Sequence, residues 1–155
     1  MIGRRLMTMN EVTVASPAYI EKYGMPREID DLERQGHRVV SFLSGADDKP
    51  MPLDFTIDGL VRHVELPADV SVTGADLYMA ATVAGLGIIQ VPRYRALADL
   101  NAGRLVEIMP QYPPEPMPVS VLYPQNRQLS LRVRVFTDWL GRLFANGVDG
   151  LMKEF

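Results

Sequence analysis

The segment Ala84-Gly85-Leu86-Gly87-Ile88-Ile89-Gln90-Val91-Pro92, preceded by the apolar run Leu77 to Val83, constrains the fold more than any other. Gly85 and Gly87 both stand where a helix C-terminus calls for a residue free to take positive φ. Ile88 to Val91 is too short and too β-branched to prolong a helix. Pro92 then removes a backbone donor and closes the strand. The pattern predicts an amphipathic helix over Ala75 to Leu86 that drops at once into a short apolar strand. Such a helix–strand unit is a building block of parallel α/β sheets.

Length and composition bound the rest. At 155 residues the chain can build one domain with a real core, but not two comfortable ones. With 47% apolar and 23% charged residues it has the make-up of an ordinary soluble globular protein. No apolar run approaches the ~20 residues of a membrane span. The start, Met1-Ile2-Gly3-Arg4-Arg5-Leu6, lacks the apolar stretch of a secretory signal, so a cytoplasmic location with no membrane partner is expected. Having no cysteine, the chain can form neither disulfides nor thiolate metal sites. A net charge of −3 argues against nucleic-acid binding by this polypeptide alone.

A β/α rhythm runs along the chain. No strand is expected before Glu11 to Ala15, which alternates polar and apolar residues. Ser16-Pro17 is a hydroxyl cap followed by proline at the first helical position, so a short helix over Ala18 to Tyr23 follows. A second helix covers Glu28 to Gln35, and a strand covers Arg38 to Leu43. After a polar, mobile loop over Ser44 to Pro52, strands at Leu53 to Ile57 and Leu60 to Leu66 flank the hairpin signal Asp58-Gly59. Further strands are expected at Ala68 to Val72, Leu105 to Met109 and Val119 to Tyr123, with a helix over Arg93 to Ala102. The segment Pro110 to Pro118 holds five of the 12 prolines and reads as an extended connector. Ser130 caps a last helix through about Ala145, on which Val133, Phe136, Leu140 and Leu143 form one apolar face with Trp139 near its edge. That face needs a cover, and no sheet follows Tyr123 to supply it; either the first strand, Glu11 to Ala15, and Val119 to Tyr123 form a two-stranded platform for it, or the cover lies on further polypeptide or on a partner.

Catalytic and metal constellations are not evident. His37 and His63 lie apart from any Cys, Asp or Glu at metal-ligand spacing, so neither a metal nor another cofactor is expected. There is no G-x-S-x-G elbow, and Gly85-Leu86-Gly87 follows a helix, whereas phosphate loops follow a strand. Asp30-Asp31 and Asp47-Asp48 read as solvated or capping carboxylates. No enzyme is expected. A binding site fits better, because ligands of α/β sheets sit beyond the strand carboxyl ends, where helix N-termini and free backbone donors suit a small anion. The candidates there are Ser16 and Pro17, Ser41, Phe42 and Ser44, Thr73, Gly74 and Ala75, and Pro92. The structural alternative for Ser16 and Thr73 is that each merely caps a helix.

Several of these pieces occur together in an order that carries a resemblance. They are Val14-Ala15-Ser16-Pro17-Ala18-Tyr19-Ile20, the hairpin at Asp58-Gly59, Ala80-Ala81 through Pro92, and Ala102-Gly103-Arg104-Leu105-Val106. Tyr123-Pro124 and Leu129-Ser130-Leu131-Arg132-Val133-Arg134 complete the set. From about Arg5 to about Phe144 the chain resembles the effector-binding domain of LysR-type transcriptional regulators.

The resemblance implies a type 2 periplasmic-binding-protein-like α/β fold: a mixed sheet with helices on both faces, the first lobe largely missing. It implies that residues 1–10 are a remnant of lobe one and residues 11–123 the second lobe. Glu11 to Ala15 and Val119 to Tyr123 would then be the hinge crossings, residues 124–145 a helix returning to lobe one, and 146–155 a tail. It further implies a small-molecule effector, a carboxylate or an aromatic metabolite, and self-association as a dimer. DNA would be contacted only through an N-terminal winged helix-turn-helix that this sequence does not include. Thr73-Gly74 stands where the family often has Asn-Asp, which touches the polar lining of the site. A solute-binding protein of a transport system is the alternative with the same fold.

Overall fold

The computed structural model describes residues 2–43, 50–123 and 130–146. It divides into two compact units, one of residues 10–115 and one of residues 1–9 with 116–155.

In the larger unit the chain runs β2 (Glu11–Ala15), α1 (Pro17–Tyr23), α2 (Ile29–Arg34) and β3 (Val39–Phe42). The hairpin β4 (Leu53–Ile57) and β5 (Leu60–Val64), then β6 (Ala68–Val72) and α3 (Ala75–Val83), follow. β7 (Ile89–Pro92), α4 (Arg93–Asn101) and β8 (Val106–Glu107) close the unit. β3 pairs with β6 in parallel, and a parallel bridge from Val39 to Ile88 joins β3 to the start of β7. β7 and β8 both pair antiparallel with β2, so the lateral order is β6-β3-β7-β2-β8. The sheet is therefore mixed. Alternation along the strands sends Ala15, Val39 and Ile88 to one face, where Tyr19, Ile29 and Leu32 of α1 and α2 and Leu53, Phe55 and Val64 of the hairpin cover them. Val12, Val14, Val40, Ile89 and Val91 face the other side, under Tyr78, Met79, Ala81 and Val83 of α3 and Ala96 and Leu100 of α4.

The two glycines of the opening motif do different work. Gly85 sits at φ +85°, the left-handed conformation expected after a helix. Gly87 does not; a Cβ there would lie 2.5 Å from the Val39 carbonyl carbon and the Val40 nitrogen. It is glycine because β3 passes against it, and backbone approach that close excludes any side chain. α3 is shorter than the expected span to Leu86, ending at Val83, and it is not clearly amphipathic: Leu77 is 62% exposed while Thr82 is buried. Asp58 and Gly59 take φ of 51° and 79°, the sign pattern of a type I′ turn. β8 is only two residues long against the expected five from Leu105 to Met109: Leu105 N is held by Asp99 O after α4, and Met109 leaves the extended conformation at φ 48°. The proline-rich segment is not a bare connector either, since Pro113 O accepts a bond from Thr56 N and Tyr112 packs on the core.

The smaller unit corrects the sequence reading at the amino terminus. β1 (Ile2–Met9) is a strand, and it pairs antiparallel with β9 (Met117–Tyr123). α5 (Leu131–Asn146) lies on this ribbon, with Ser130 Oγ accepting from Val133 N at 3.4 Å. The contact is made by the Thr137–Gly141 side: Thr137 is buried, Arg4 and Asp138 pair at 2.6 Å, and a Cβ on Gly141 would meet the Arg4 guanidinium at 2.8 Å. Phe136 and Trp139, stacked with centroids 5.9 Å apart, stay half exposed. So α5 finds a cover in β1 for Thr137 and its flank, with Leu140 and Leu143 part-buried, while Val133 and Phe136 of the apolar stripe stay exposed.

Candidate effector site

The register decides which strand ends coincide. Glu11 stands opposite Pro92, Val14 opposite Ile89, and Phe42 beside Val72. The carboxyl ends of β3, β6 and β7 therefore share one end of the sheet, whereas antiparallel β2 only begins there. This end gathers Ser41 and Phe42 from β3, Thr73, Gly74 and Ala75 between β6 and α3, and Pro92 between β7 and α4. Ser16 and Pro17 follow the far end of β2, five strand steps or roughly 16 Å from Glu11. A Cβ on Gly85 would lie 3.3 Å from Ser16 Oγ, which puts Ser16 beside the C-terminus of α3, not its N-terminus. Ser44 lies outside the described residues.

At the gathered end, two nine-residue helices present their N-termini, and neither has a side-chain cap. Gly74 occupies the N-cap of α3 with no hydroxyl or carboxylate to offer, so Thr73 is not a cap. Among the described residues, no side chain caps the first-turn N–H groups of α3, which carry the positive end of the helix dipole. In α4 the first of these donors, Arg93 N, is used by Asn10 O at 2.9 Å. Ser41 is 2% exposed, and among the described residues its Oγ is a buried side-chain polar atom with no hydrogen-bond partner. Phe42 is half-buried and meets the Tyr78 ring edge-on at 5.2 Å, and burial pushes the Tyr78 hydroxyl pKa up to about 12. Glu11, at the same end, has its carboxyl raised by burial and then by Asp54. Asp76 is paired with Arg95 at 2.9 Å and Arg93 with Glu107 at 3.1 Å.

Ser16 does what a cap does: its Oγ accepts from Tyr19 N at 3.1 Å, and Pro17 opens α1. Asp31 likewise closes the start of α2, accepting from Arg27 N and Glu28 N at 3.0 Å each, and those bonds lower its pKa. Among the described residues, no group of His, Asp and Glu is placed to hold a metal. Two polar arrangements escape sequence reasoning. His37, fully buried, has Nδ1 3.0 Å from Tyr19 Oη and Nε2 3.2 Å from Gln35 Oε1, while Tyr19 Oη also accepts from Arg38 N. Gln90, the one polar residue in Ile88–Val91, reaches across to Asp54 and Thr13. Only its isolation within an apolar strand could have drawn attention to it.

The family model described as the LysR substrate binding domain matches residues 1–145 of the chain. The HTH-type transcriptional regulator YhjC of Escherichia coli K12 is 36% identical over 155 residues, covering 100% of this chain and 48% of that protein. The HTH-type transcriptional activator AaeR of the same organism is 30% identical over 162 residues, covering 99% and 50%. Among solved structures, the regulatory domain of CrgA, a LysR-type transcriptional regulator from Neisseria meningitidis, superposes with a TM-score of 0.69 at 20% identity. That match covers 92% of this chain and 68% of the other. The chain belongs to the LysR substrate-binding domain family. It spans about half the length of the curated relatives it matches.

Proposed function

We propose that this chain is the effector-sensing part of a LysR-type transcriptional regulator and takes a small carboxylate or aromatic metabolite at the β3–β6–β7 end of its sheet. One observation carries the reading. Among the described residues, the uncapped first turn of α3 and the buried, unpartnered Ser41 hydroxyl lie at β6 and β3, whose ends stand side by side. Free N–H groups at a helix start, with the dipole behind them, favour a carboxylate. A buried hydroxyl without a partner costs about 1–3 kcal/mol, which a ligand oxygen would recover. Phe42 offers an aromatic ring at the same end. Ser41, Phe42, Thr73, Gly74, Ala75 and Pro92 are the proposed contacts, and Ser16 and Pro17 support α1 instead.

The relatives are transcriptional regulators, which favours sensing over solute transport and over catalysis. The smaller unit fits a portion of the first lobe and the larger unit the second lobe, with the crossings near residue 10 and residue 115. Effector binding would bias how an oligomer holds promoter DNA, with the N-terminal winged helix-turn-helix of the whole regulator making the DNA contacts in the cytoplasm. No described helix is long and apolar enough to cross a membrane. A thermal-shift screen of small carboxylates tests the site, since a ligand of the native state raises the midpoint by mass action. Ser41→Ala should diminish the shift of each hit, measured against the variant's own ligand-free midpoint. Hits whose shifts are untouched by Ser41→Ala and by Thr73→Ala would place the site elsewhere.

A further inference from the structure

β4 and β5 pair only with each other in the described sheets, so no backbone ladder joins this hairpin to the main sheet. Leu53, Phe55 and Val64 hold it down by burial, but burial is non-directional and fixes no register. Thr56 N, donating to Pro113 O at 2.8 Å, fixes the far end of β4; Gln90 supplies direction at its near end. Its Oε1 accepts from Asp54 N at 2.8 Å, and its Nε2 donates to Asp54 O at 2.7 Å. Two bonds to the N–H and C=O of one residue reproduce what an antiparallel neighbour makes with a strand. A third bond, Nε2 to Thr13 Oγ1 at 3.0 Å, holds the amide itself in place from β2, where Thr13 stands opposite Gln90.

The residues just before β4 run along the end of β3. Met51 N donates to Phe42 O at 3.4 Å, and Pro50 bridges to Leu43. We propose that Gln90 is a positioning residue whose amide acts as a surrogate strand edge, pinning Asp54 and thereby setting Pro50 and Met51 as a wall beside Phe42 and Leu43. The inference rests on the proposed function only in calling that wall part of an effector site. The pin itself is a property of the free chain.

Amide hydrogen exchange on the 155-residue chain, without any ligand, tests it. Gln90→Met keeps the side-chain length and removes the amide. Protection of the Asp54 and Met51 amides should fall at least about tenfold more than that of Val40 and Ile108, whose bonds to Ile88 O and Thr13 O report the main sheet. A fall in step at all four amides, or none at Asp54, would overturn the assignment. Gln90→Glu keeps an acceptor for Asp54 N and loses both donors, so it should leave Asp54 better protected than Gln90→Met does. Equal loss in the two variants would contradict the acceptor role. Because no ligand enters the measurement, its failure is distinct from a failure of the effector reading.

Discussion

Gly87 is the residue where the least chemistry carries the most consequence. A methyl group there cannot be placed without moving the β3 backbone, since the contacts at 2.5 Å are to the main-chain atoms of Val39 and Val40. Gly87→Ala should destabilise the chain by about 1–3 kcal/mol or more, as overpacking of a well-filled core does. Gly85→Ala, limited mainly by its positive φ, should cost about 1–2 kcal/mol; urea midpoints compare the two. His37 gives a second residue-scale expectation. Burial lowers its pKa below the ordinary 6.5, with the Asp31 carboxylate opposing. A depressed native pKa means the unfolded chain binds the extra proton first, so stability is full above about 6.5 and falls as the pH drops below it. Glu11, with its carboxyl raised from 4.5, acts in the opposite sense nearer that value, and Asp31, lowered from 3.8, acts only below it. Unfolding followed between pH 7.5 and 6 should therefore show a loss that His37→Phe abolishes.

Elements were legible where local chemistry made them. The Ser16 cap, the Asp58-Gly59 turn and the helix stop at Gly85 all declare themselves within a few residues, and each element they bound is present. β1 did not declare itself, because Ile2 to Met9 has two adjacent arginines, no alternation, and a partner more than a hundred residues away in β9. The grouping of the candidate residues was legible only in part for a related reason. A strand end can be read from sequence, but the direction of β2 relative to β7 is set by a distant pairing, so Ser16 was grouped with residues that lie a sheet length away. This yields an element-scale test. Ser16→Ala should cost about 1 kcal/mol through the lost α1 cap while leaving ligand-induced thermal shifts intact; Ser41→Ala should do the reverse. At α5, the exposed Phe136–Trp139 pair marks a surface that a neighbour would cover. Phe136→Asp should lower the apparent mass in light scattering at micromolar concentration without lowering the unfolding midpoint of the diluted chain. A monomeric unmutated chain would refute that interface.

For the molecule as a whole, an acidic chain of net charge −3 should show no sequence-specific, salt-sensitive gel shift by itself. On the proposed reading, its contribution to a regulator would be to convert a small molecule at one end of a mixed sheet into a bias on the assembly that holds DNA. That requires the ligand to engage β3, β6 and the start of α3 together. Two-dimensional amide spectra recorded during titration with small aromatic carboxylates, benzoate first, address this most directly. The expected result is saturable perturbation at Ser41 to Leu43, at Gly74 to Asp76 and at Arg93, with the α1 start at Ala18 and Tyr19 unmoved. Perturbation centred on α1, or the absence of any saturable change across the series, would contradict the assignment of the effector site to this end of the sheet.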